Sequence, residues 1–225
     1  MANSTKVLAI ISEKGGAGKT IVSTSLAVVA EAHGLTTAIF DLDPRANSAV
    51  WGDKRPDGFP AVVPAQVARL DMLLQKARQQ DTSLVIMDTP GNDLTSARAA
   101  AERADAILIP CQPSPPDLLS IVPTVKLALD SHKPAFVLLN AAPVQGVEVE
   151  EARAAIAAAG VQVAPIVFYR RKAFSSRFHE GLTAWEIERK GKAAEEIRAL
   201  FLWLAVDVLL LSTAKDSMIA IQEAS

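Results

Sequence analysis

A glycine-rich stretch near the N-terminus contains the residue types that bind phosphate groups. It reads Glu13-Lys14-Gly15-Gly16-Ala17-Gly18-Lys19-Thr20 and stands between an apolar run and a segment with helical spacing. Glycines let backbone N–H groups turn toward phosphate oxygens, and the N-terminus of the following helix adds positive potential. The spacing therefore predicts a phosphate-binding loop, in which Lys19 neutralises the β- and γ-phosphates of a nucleotide and Thr20 binds Mg²⁺.

Acidic residues follow two later apolar runs, where they could hold the metal ion that accompanies a nucleotide. Residues 84–87 lead into Asp88, which the pattern predicts as the Walker B carboxylate that binds Mg²⁺ directly or through water. Asp41 and Asp43 stand at the end of the run at residues 38–42. Two carboxylates beside a metal ion would hold its water molecules, but Asp43 could instead be a turn residue before Pro44.

Apolar runs alternate with segments of helical spacing along the chain, and this alternation predicts the fold class. We expect an α/β fold, a doubly wound and mostly parallel sheet with helices on both faces. The predicted strands are residues 7–11, 38–42, 84–87, 106–109, 136–139 and 163–167, with Pro110 ending the fourth. The predicted helices are residues 21–32, 66–79, 94–102, 118–129, 147–159 and 192 onward, and residues 55–64 and 110–116 are predicted as loops.

The polar residues of interest all stand where predicted strands end. Ligands of such sheets bind outside the carboxyl ends of the strands. The loop residues 14–20, the three aspartates and Asn140 occupy these positions. This coincidence supports a single nucleotide site more strongly than any one motif does.

Length, charge and cysteine content limit the classes of protein that remain. The chain has 225 residues and a formal net charge of −2, which fits one domain over residues 1–225 without a global basic field. Cys111 is the only cysteine, which suits a reducing cytoplasm. No run reaches the roughly 18–20 apolar residues that span a bilayer. We therefore expect a cytoplasmic protein, and the role of residues 205–225 is left open.

These motifs resemble those of the deviant Walker ATPases of the ParA/MinD family. The early lysine of the loop, Lys14, and the string Asp88-Thr89-Pro90-Gly91 carry the likeness, which extends over residues 6–204. The chain is most similar to the small ParA-type partition ATPases of the ParF kind. The resemblance implies a P-loop NTPase fold that binds ATP or ADP with Mg²⁺ and hydrolyses ATP. The nucleotide-binding residues that it implies are Gly15, Gly16, Ala17, Gly18, Lys19, Thr20, Ile21 and Asn140.

The resemblance also implies what individual side chains do. Lys14 would reach across an ATP-state homodimer to the partner's phosphates. Asp41 would lie close to the water shell of Mg²⁺, so that Thr20, Asp41 and Asp88 form the metal site. Asp43 would orient or activate the attacking water, which makes Lys14, Lys19 and Asp43 the expected catalytic residues.

Three other positions either match the family pattern or depart from a motif. Asn140 matches an asparagine that lies near the adenine in the family. Glu13 stands where the general P-loop motif has glycine, and Arg45 stands where the family has glutamine. The role of Arg45 is left open, because a guanidinium there could contact phosphate, DNA, a partner or only solvent.

The preferred function within the resemblance is DNA segregation. Such an ATPase forms a homodimer or higher polymers with ATP, binds DNA without sequence preference, associates with the nucleoid and is stimulated by a ParB-like centromere-binding protein. Seven basic residues could make the phosphate contacts. The predicted DNA-binding residues are Arg170, Arg171, Lys172, Arg177 and Lys192, with Arg189 and Lys190 nearby. The alternative is an ordinary solvated face, because Glu180, Glu186 and Glu188 are interspersed.

Other members of the same family suggest different functions. A MinD-like membrane-associated ATPase needs a basic amphipathic tail, and residues 205–221 carry Asp207 and Asp216 but only one lysine, so we expect no membrane partner. A nucleotide-gated ATPase that positions a protein cargo would use the same dimer switch, and the apolar residues 200–211 could serve its self-assembly. An iron–sulfur electron carrier is excluded because one cysteine cannot supply its cluster.

Overall fold

Parallel strands form one central sheet in the computed structural model, which describes residues 4–211 of the chain. The strands are β1 (Lys6–Ile10), β2 (Thr37–Asp41), β3 (Ala61–Pro64), β4 (Leu84–Asp88), β5 (Ala106–Cys111), β6 (Ala135–Leu139) and β7 (Gln162–Val163). Their order is β3-β2-β4-β1-β5-β6-β7, and every neighbouring pair is parallel. The predicted α/β fold is confirmed, and the sheet is parallel throughout.

Helices cover both faces of the sheet, which explains why its strands are apolar on both sides. The helices are α1 (Lys19–Ala32), α2 (Asn47–Gly52), α3 (Leu70–Gln79), α4 (Leu94–Arg103), α5 (Pro115–Ser120), α6 (Val122–Asp130), α7 (Glu148–Ala158), α8 (Ala184–Ile187) and α9 (Lys192–Trp203). In β1, Val7 and Ala9 pack toward α3, α4, α6 and α7, whereas Leu8 and Ile10 pack toward α1, α2, α8 and α9. Burial of this apolar surface, at about 25 cal/mol per Å², is the main stabilising contribution.

The strand at residues 106–109 is longer than predicted, because Pro110 does not end it. Pro110 lies inside β5, opposite Leu138 of β6. The amide of Ile107 donates to the Pro134 carbonyl on the β6 side, so alternation turns the nitrogen of Pro110 toward β1. The pairing of β1 with β5 ends at Leu108. A proline is tolerated beyond it, since no ladder bond needs its missing N–H.

The last strand is shorter than the predicted residues 163–167. β7 contains only Gln162 and Val163, and Pro165 follows it closely. Since proline cannot donate to a ladder, regular pairing with β6 stops there. The chain still follows the end of β6, because the amide of Phe168 donates to the carbonyl of Leu139 at 2.9 Å.

Two predicted helices also differ from the prediction, and three short elements were not predicted. Residues 118–129 form α5 and α6 rather than one helix, because Pro123 in the first turn of α6 lacks the N–H that would continue α5. The helix at residues 66–79 begins with a 3₁₀ turn at Val67–Arg69 and becomes α3 at Leu70. α2 and α8 were not predicted, since each is too short to show a sequence period. The two predicted loops are shorter than expected, because residues 61–64 of the first form the edge strand β3 and both ends of the second belong to β5 and α5.

The C-terminal apolar stretch belongs to the core. α9 ends at Trp203, and one π-helical turn follows at Leu204–Val208. Leu204, Leu209 and Leu211 are buried in the core, so these side chains are not available for the self-assembly suggested for residues 200–211. The tail beyond residue 211 lies outside the described residues. Between residues 4 and 211, no helix is long and apolar enough to cross a membrane.

Candidate functional site

The carboxyl ends of β1, β2 and β4 lie level with one another and place the predicted acidic residues beside the phosphate loop. Asp88 pairs in register with Ile10 of β1 and with Asp41 of β2. A cavity of about 590 Å³ opens at this point, which is the size of a small-molecule site. It is lined by Gly15, Gly16, Gly18, Lys19, Thr20, Ile21, Asp43, Pro44, Arg45, Asn47, Pro90, Gly91, Asn92 and Asp93.

The loop that forms one wall of this cavity needs glycine at specific positions. Gly18 has a φ of 91°, and a Cβ atom there would also overlap the side-chain amide of Asn140. Gly91, which follows β4, approaches the loop so closely that its Cβ would lie 3.0 Å from the Gly15 nitrogen. The loop is therefore fixed between two neighbouring segments, while its N–H groups remain free to turn toward a ligand.

Lys19 is the buried cation of the site. Its Nζ donates to the carbonyl oxygens of Ser12 at 2.9 Å and Lys14 at 3.2 Å. Burial lowers the pKa of Lys19, and the carboxylates of Asp88 and Asp43 oppose that shift. An ammonium held only by carbonyl oxygens, in a loop built for anions, is well placed to bind phosphate oxygens.

Asp88 offers an oxygen that suits a metal ion. It is 1% exposed, and its Oδ2 accepts a 2.7 Å hydrogen bond from the Ser48 hydroxyl. Its Oδ1 is buried without a hydrogen-bond partner. Burial raises the pKa of Asp88 to about 6, against the effects of Ser48 and the nearby Thr20 hydroxyl. A buried carboxylate oxygen and a threonine hydroxyl are hard oxygen ligands, so the residues present fit Mg²⁺.

The other two aspartates differ in what their oxygens contact. Asp41 accepts backbone N–H groups on both oxygens, from Asp43 at 3.0 Å and Ala49 at 2.9 Å, so it holds the loop before α2. Burial raises its pKa, and these hydrogen bonds oppose the rise. Its place near the Mg²⁺ water shell stays a prediction. Asp43 accepts the Arg45 N–H at 2.9 Å, as a turn residue would, and also faces the cavity.

Lys14 and Asn140 contact other parts of the chain than the sequence suggested. The Nζ of Lys14 lies 2.7 Å from Oδ1 of Asp117 in α5, and Lys14 does not line the cavity. Asn140 donates its Nδ2 to the Ala17 carbonyl at 2.7 Å, and Ala17 is buried. Asn140 therefore supports the phosphate loop from behind, and its predicted proximity to adenine stays a prediction.

The comparison with protein families agrees with this geometry. The CobQ/CobB/MinD/ParA nucleotide binding domain family matches residues 8–184, which include the loop, the three aspartates and Asn140. This chain belongs to the ParA/MinD family. Family members are nucleotide-binding ATPases. The ParA/MinD resemblance, predicted from Lys14 and the Asp-Thr-Pro-Gly string, is confirmed.

Individual relatives match over most of their lengths. Maintenance of carboxysome distribution protein A of Halothiobacillus neapolitanus is 27% identical, over 88% of this chain and 96% of its own. Protein ParA of Rhizobium radiobacter is 24% identical, over 78% of this chain and 83% of its own. The septum site-determining protein MinD of Pyrococcus horikoshii, solved with Mg-ADP, superposes with a TM-score of 0.71 at 18% identity, covering 94% and 99% of the two chains.

Two residues of this ParA/MinD site were not predicted. Ser48 holds the Walker B carboxylate, and nothing in the sequence marked it except its place shortly after Asp43. Asp117 holds Lys14, and the spacing Ser114-x-x-Asp117 did carry a signal, because it is the pattern of a helix N-terminus. Ser114 Oγ accepts the Asp117 N–H at 3.4 Å and makes a short contact with its carboxylate.

Ser48→Ala should raise the divalent-cation concentration needed for half-maximal metal binding by about 10- to 100-fold. The change removes the hydrogen bond to Oδ2 of Asp88, whose Oδ1 has no hydrogen-bond partner, and a hydrogen bond to a charged group contributes about 1.5–3 kcal/mol. Mn²⁺ titration by electron paramagnetic resonance in the presence of ADP measures this directly. Ser25→Ala, at another buried serine, is the matched control. Equal metal affinity in the two variants would contradict the assigned role.

Of the five residues predicted to bind DNA and the two basic residues near them, three contact neighbouring side chains and four do not. Arg171 is paired with Glu196 at 2.6 Å, and Arg177 is paired with Glu180 at 2.5 Å. Arg189 lies 4.7 Å from the centre of the Trp185 ring. The remaining four are exposed and form no ion pair within residues 4–211. They are Arg170, Lys172, Lys190 and Lys192, which we call the basic edge.

Segments far apart in sequence meet at the basic edge. Glu196 of α9 accepts the Tyr169 N–H at 3.1 Å and the Arg171 guanidinium at 2.7 Å. Arg170 and Lys172 flank Arg171 in sequence, and Lys192 is the first residue of the helix that Arg171 contacts. The local arrangement supports the predicted cluster, although its DNA-binding role stays a prediction.

Proposed function

We propose that this chain hydrolyses ATP as a homodimer and uses the cycle to position a protein cargo in the cell. The observation that carries the choice of cargo is the match to carboxysome distribution protein A over nearly its whole length. This corrects the emphasis of the sequence interpretation, in which protein-cargo positioning was the alternative to DNA segregation. The same nucleotide switch serves both functions, so the site itself requires no change.

Four polar residues in and beside the cavity have defined tasks in the proposed cycle. Lys19 exchanges the carbonyls of Ser12 and Lys14 for the β- and γ-phosphate oxygens when ATP enters. Thr20 and Asp88 would hold Mg²⁺, which when bound supplies positive charge to the phosphates. Asp43 orients the water that attacks the γ-phosphorus, as the β–γ bridging oxygen leaves with ADP.

The homodimer makes the cycle a switch. Lys14 of each subunit reaches the phosphates of its partner only when the γ-phosphate is present, so ATP joins two chains and hydrolysis releases them. The segment after β4 is the natural sensor, because Gly91 and Asn92 line the cavity and the Asn92 N–H donates to the Glu13 carbonyl at 2.6 Å. Order in such a segment depends on γ-phosphate contacts in other nucleotide switches.

Deletion of the gene in its host separates this function from its main alternative. We expect a protein body that is normally spaced through the cell to collapse into clusters or one pole, while plasmid and chromosome inheritance are unchanged. Electron cryotomography measures the distribution of the protein bodies, and a plasmid-loss assay measures plasmid inheritance. Increased plasmid or chromosome loss with normally distributed protein bodies would contradict cargo positioning and favour segregation.

The second candidate is DNA segregation with a ParB-like centromere-binding partner. The likeness to the ParA protein of Rhizobium radiobacter and the unpaired cations of the basic edge favour it. Nucleoid association could also give a positioning ATPase its matrix. Retardation of random-sequence DNA by the ATP-analogue state, but not by the ADP state, would support DNA binding in either case.

Arg170→Glu combined with Lys172→Glu should lower the affinity for random-sequence DNA at least tenfold. Loss of two phosphate contacts also reduces the slope of log affinity against log salt by about two. Lys76→Glu combined with Arg98→Glu, on exposed residues of α3 and α4, has the same charge change and is the control. If both pairs weaken binding equally, the basic edge is not the DNA contact.

A further inference from the structure

The ion pair between Lys14 and Asp117 connects the phosphate loop to the first turn of α5. The Nζ of Lys14 donates to Oδ1 of Asp117 at 2.7 Å. The side chain of Asp117 is only 9% exposed, whereas that of Lys14 is 39% exposed. A lysine that must leave its own subunit to work is therefore held, in the single chain, by a mostly buried carboxylate.

Asp117 is held in position for this contact from its other side. Its Oδ2 accepts the Ser114 hydroxyl, and its own N–H points to the same hydroxyl at 3.4 Å. Burial would raise the pKa of Asp117, but the hydrogen bonds from Lys14 and Ser114 keep the pKa below its usual range. The carboxylate is thus charged and fixed, and the lysine is the partner that can move.

The direction of Lys14 is as informative as its contact. Gly15, Gly16, Gly18 and Lys19 line the nucleotide cavity, whereas Lys14 in the same loop does not. Its ammonium contacts α5 instead of lining the cavity. In the proposed dimer, Lys14 would have to leave Asp117 to bind phosphate oxygens in a facing subunit.

We propose that Asp117 is an intramolecular latch that holds Lys14 in the single chain and opposes dimer formation until ATP is bound. The inference rests on the proposed ATP-state homodimer and adds what restrains it. Asp117 acts through Lys14 and is a positioning residue rather than a catalytic one. The latch sets a threshold, because a dimer forms only when phosphate contacts outweigh the loss of a largely buried ion pair.

The nucleotide is connected to this latch through the backbone. Residues 90–93 line the cavity, and within them the Asn92 N–H donates to the carbonyl of Glu13, the residue before Lys14. The Glu13 N–H in turn donates to the Thr124 hydroxyl of α6 at 3.1 Å. In the proposed cycle, a γ-phosphate contact with the segment after β4 would therefore act on Glu13, which Thr124 also anchors to α6 and which directly precedes Lys14.

Asp117→Asn tests the latch, because it keeps the side-chain shape and removes the charge. With a non-hydrolysable ATP analogue, we expect half-maximal dimerisation at a protein concentration about tenfold lower than in the wild type. Sedimentation velocity measures this concentration. Ser120→Ala is the matched control, because it removes a hydrogen bond from Ser120 to the Asp117 carbonyl within α5 and leaves the contact with Lys14 in place. A general effect of loosening α5 would shift the dimerisation of both variants, whereas release of Lys14 would shift only that of Asp117→Asn.

The outcomes separate the latch from the proposed function. A wild type that dimerises with the analogue, together with an Asp117→Asn variant that dimerises no better, overturns the latch and leaves the homodimer intact. A wild type that stays monomeric overturns both. If Asp117→Asn does not fold, Asp117→Gln replaces it, because an uncharged glutamine is accepted at the third helical position after a serine N-cap, and the same two results decide.

Discussion

Lys19→Ala should weaken ATP binding by about 10- to 100-fold. Lys19 is 7% exposed, and its ammonium is held inside the loop by two carbonyl oxygens, next to Asp88 and Asp43. A hydrogen bond between charged groups contributes about 1.5–3 kcal/mol, and each 1.4 kcal/mol is a factor of ten in affinity. Isothermal titration calorimetry with a non-hydrolysable ATP analogue gives the dissociation constant.

The control for this substitution is a lysine outside the site. Lys133→Ala removes an exposed lysine just after α6 and should leave the dissociation constant within about twofold of the wild type. Thermal unfolding of both variants shows whether the fold is intact. ATP affinity in Lys19→Ala equal to that in Lys133→Ala would mean that the cavity beside the loop is not the nucleotide site.

Asp43→Asn should lower the turnover number for ATP by about 100-fold or more while the affinity for ATP stays within about threefold. Orientation or activation of a reacting water by a carboxylate contributes roughly 10²–10⁴ in rate. Asparagine keeps the side-chain oxygen that accepts the Arg45 N–H at 2.9 Å, so the turn is preserved. Phosphate release at saturating ATP measures the turnover number.

An exposed aspartate near the same turn provides the control. Asp53 follows α2 and does not line the cavity, so Asp53→Asn should hydrolyse ATP at the wild-type rate. Unchanged turnover in Asp43→Asn would assign the residue to the turn alone.

The sequence was sufficient for most of the fold, because apolar periodicity and burial agree over long segments. β1, β2, β4 and β6 lie within one residue or so of their predicted bounds, since each is a short apolar run buried on both faces. Prediction was less successful where proline decided the local structure. The sequence predicts that Pro110 ends a strand, but Pro110 lies within β5. It is tolerated there because its nitrogen faces β1, whose pairing with β5 has already ended at Leu108.

The phosphate loop could also be predicted, because its glycines, its lysine and its position between strand and helix are local in sequence. Contacts between segments that are distant in sequence could not be predicted. Asp117 is 103 positions from Lys14, and Ser48 is 40 positions from Asp88. Neither pair produces a pattern in a single sequence, so both contacts become visible only in the folded structure.

For Asn140, the sequence predicts the position in the fold correctly but not the hydrogen bond that its side chain makes. It follows β6 at the carboxyl edge, as predicted, but its amide donates to the phosphate loop at Ala17. The explanation is steric as well as polar, because only a glycine at position 18 leaves room for this side chain. The loop and Asn140 therefore depend on each other.

The most direct test of the central claim is the molar mass of the protein in each nucleotide state, measured by light scattering on a size-exclusion column. With ADP, the wild type should elute as a single chain of 23.9 kDa. With a non-hydrolysable ATP analogue and Mg²⁺ it should show twice that mass, while Lys14→Gln, which still binds the analogue, should stay at the single-chain mass. A wild type that remains a single chain at saturating analogue, or a Lys14→Gln variant that doubles in mass as readily, would contradict the account.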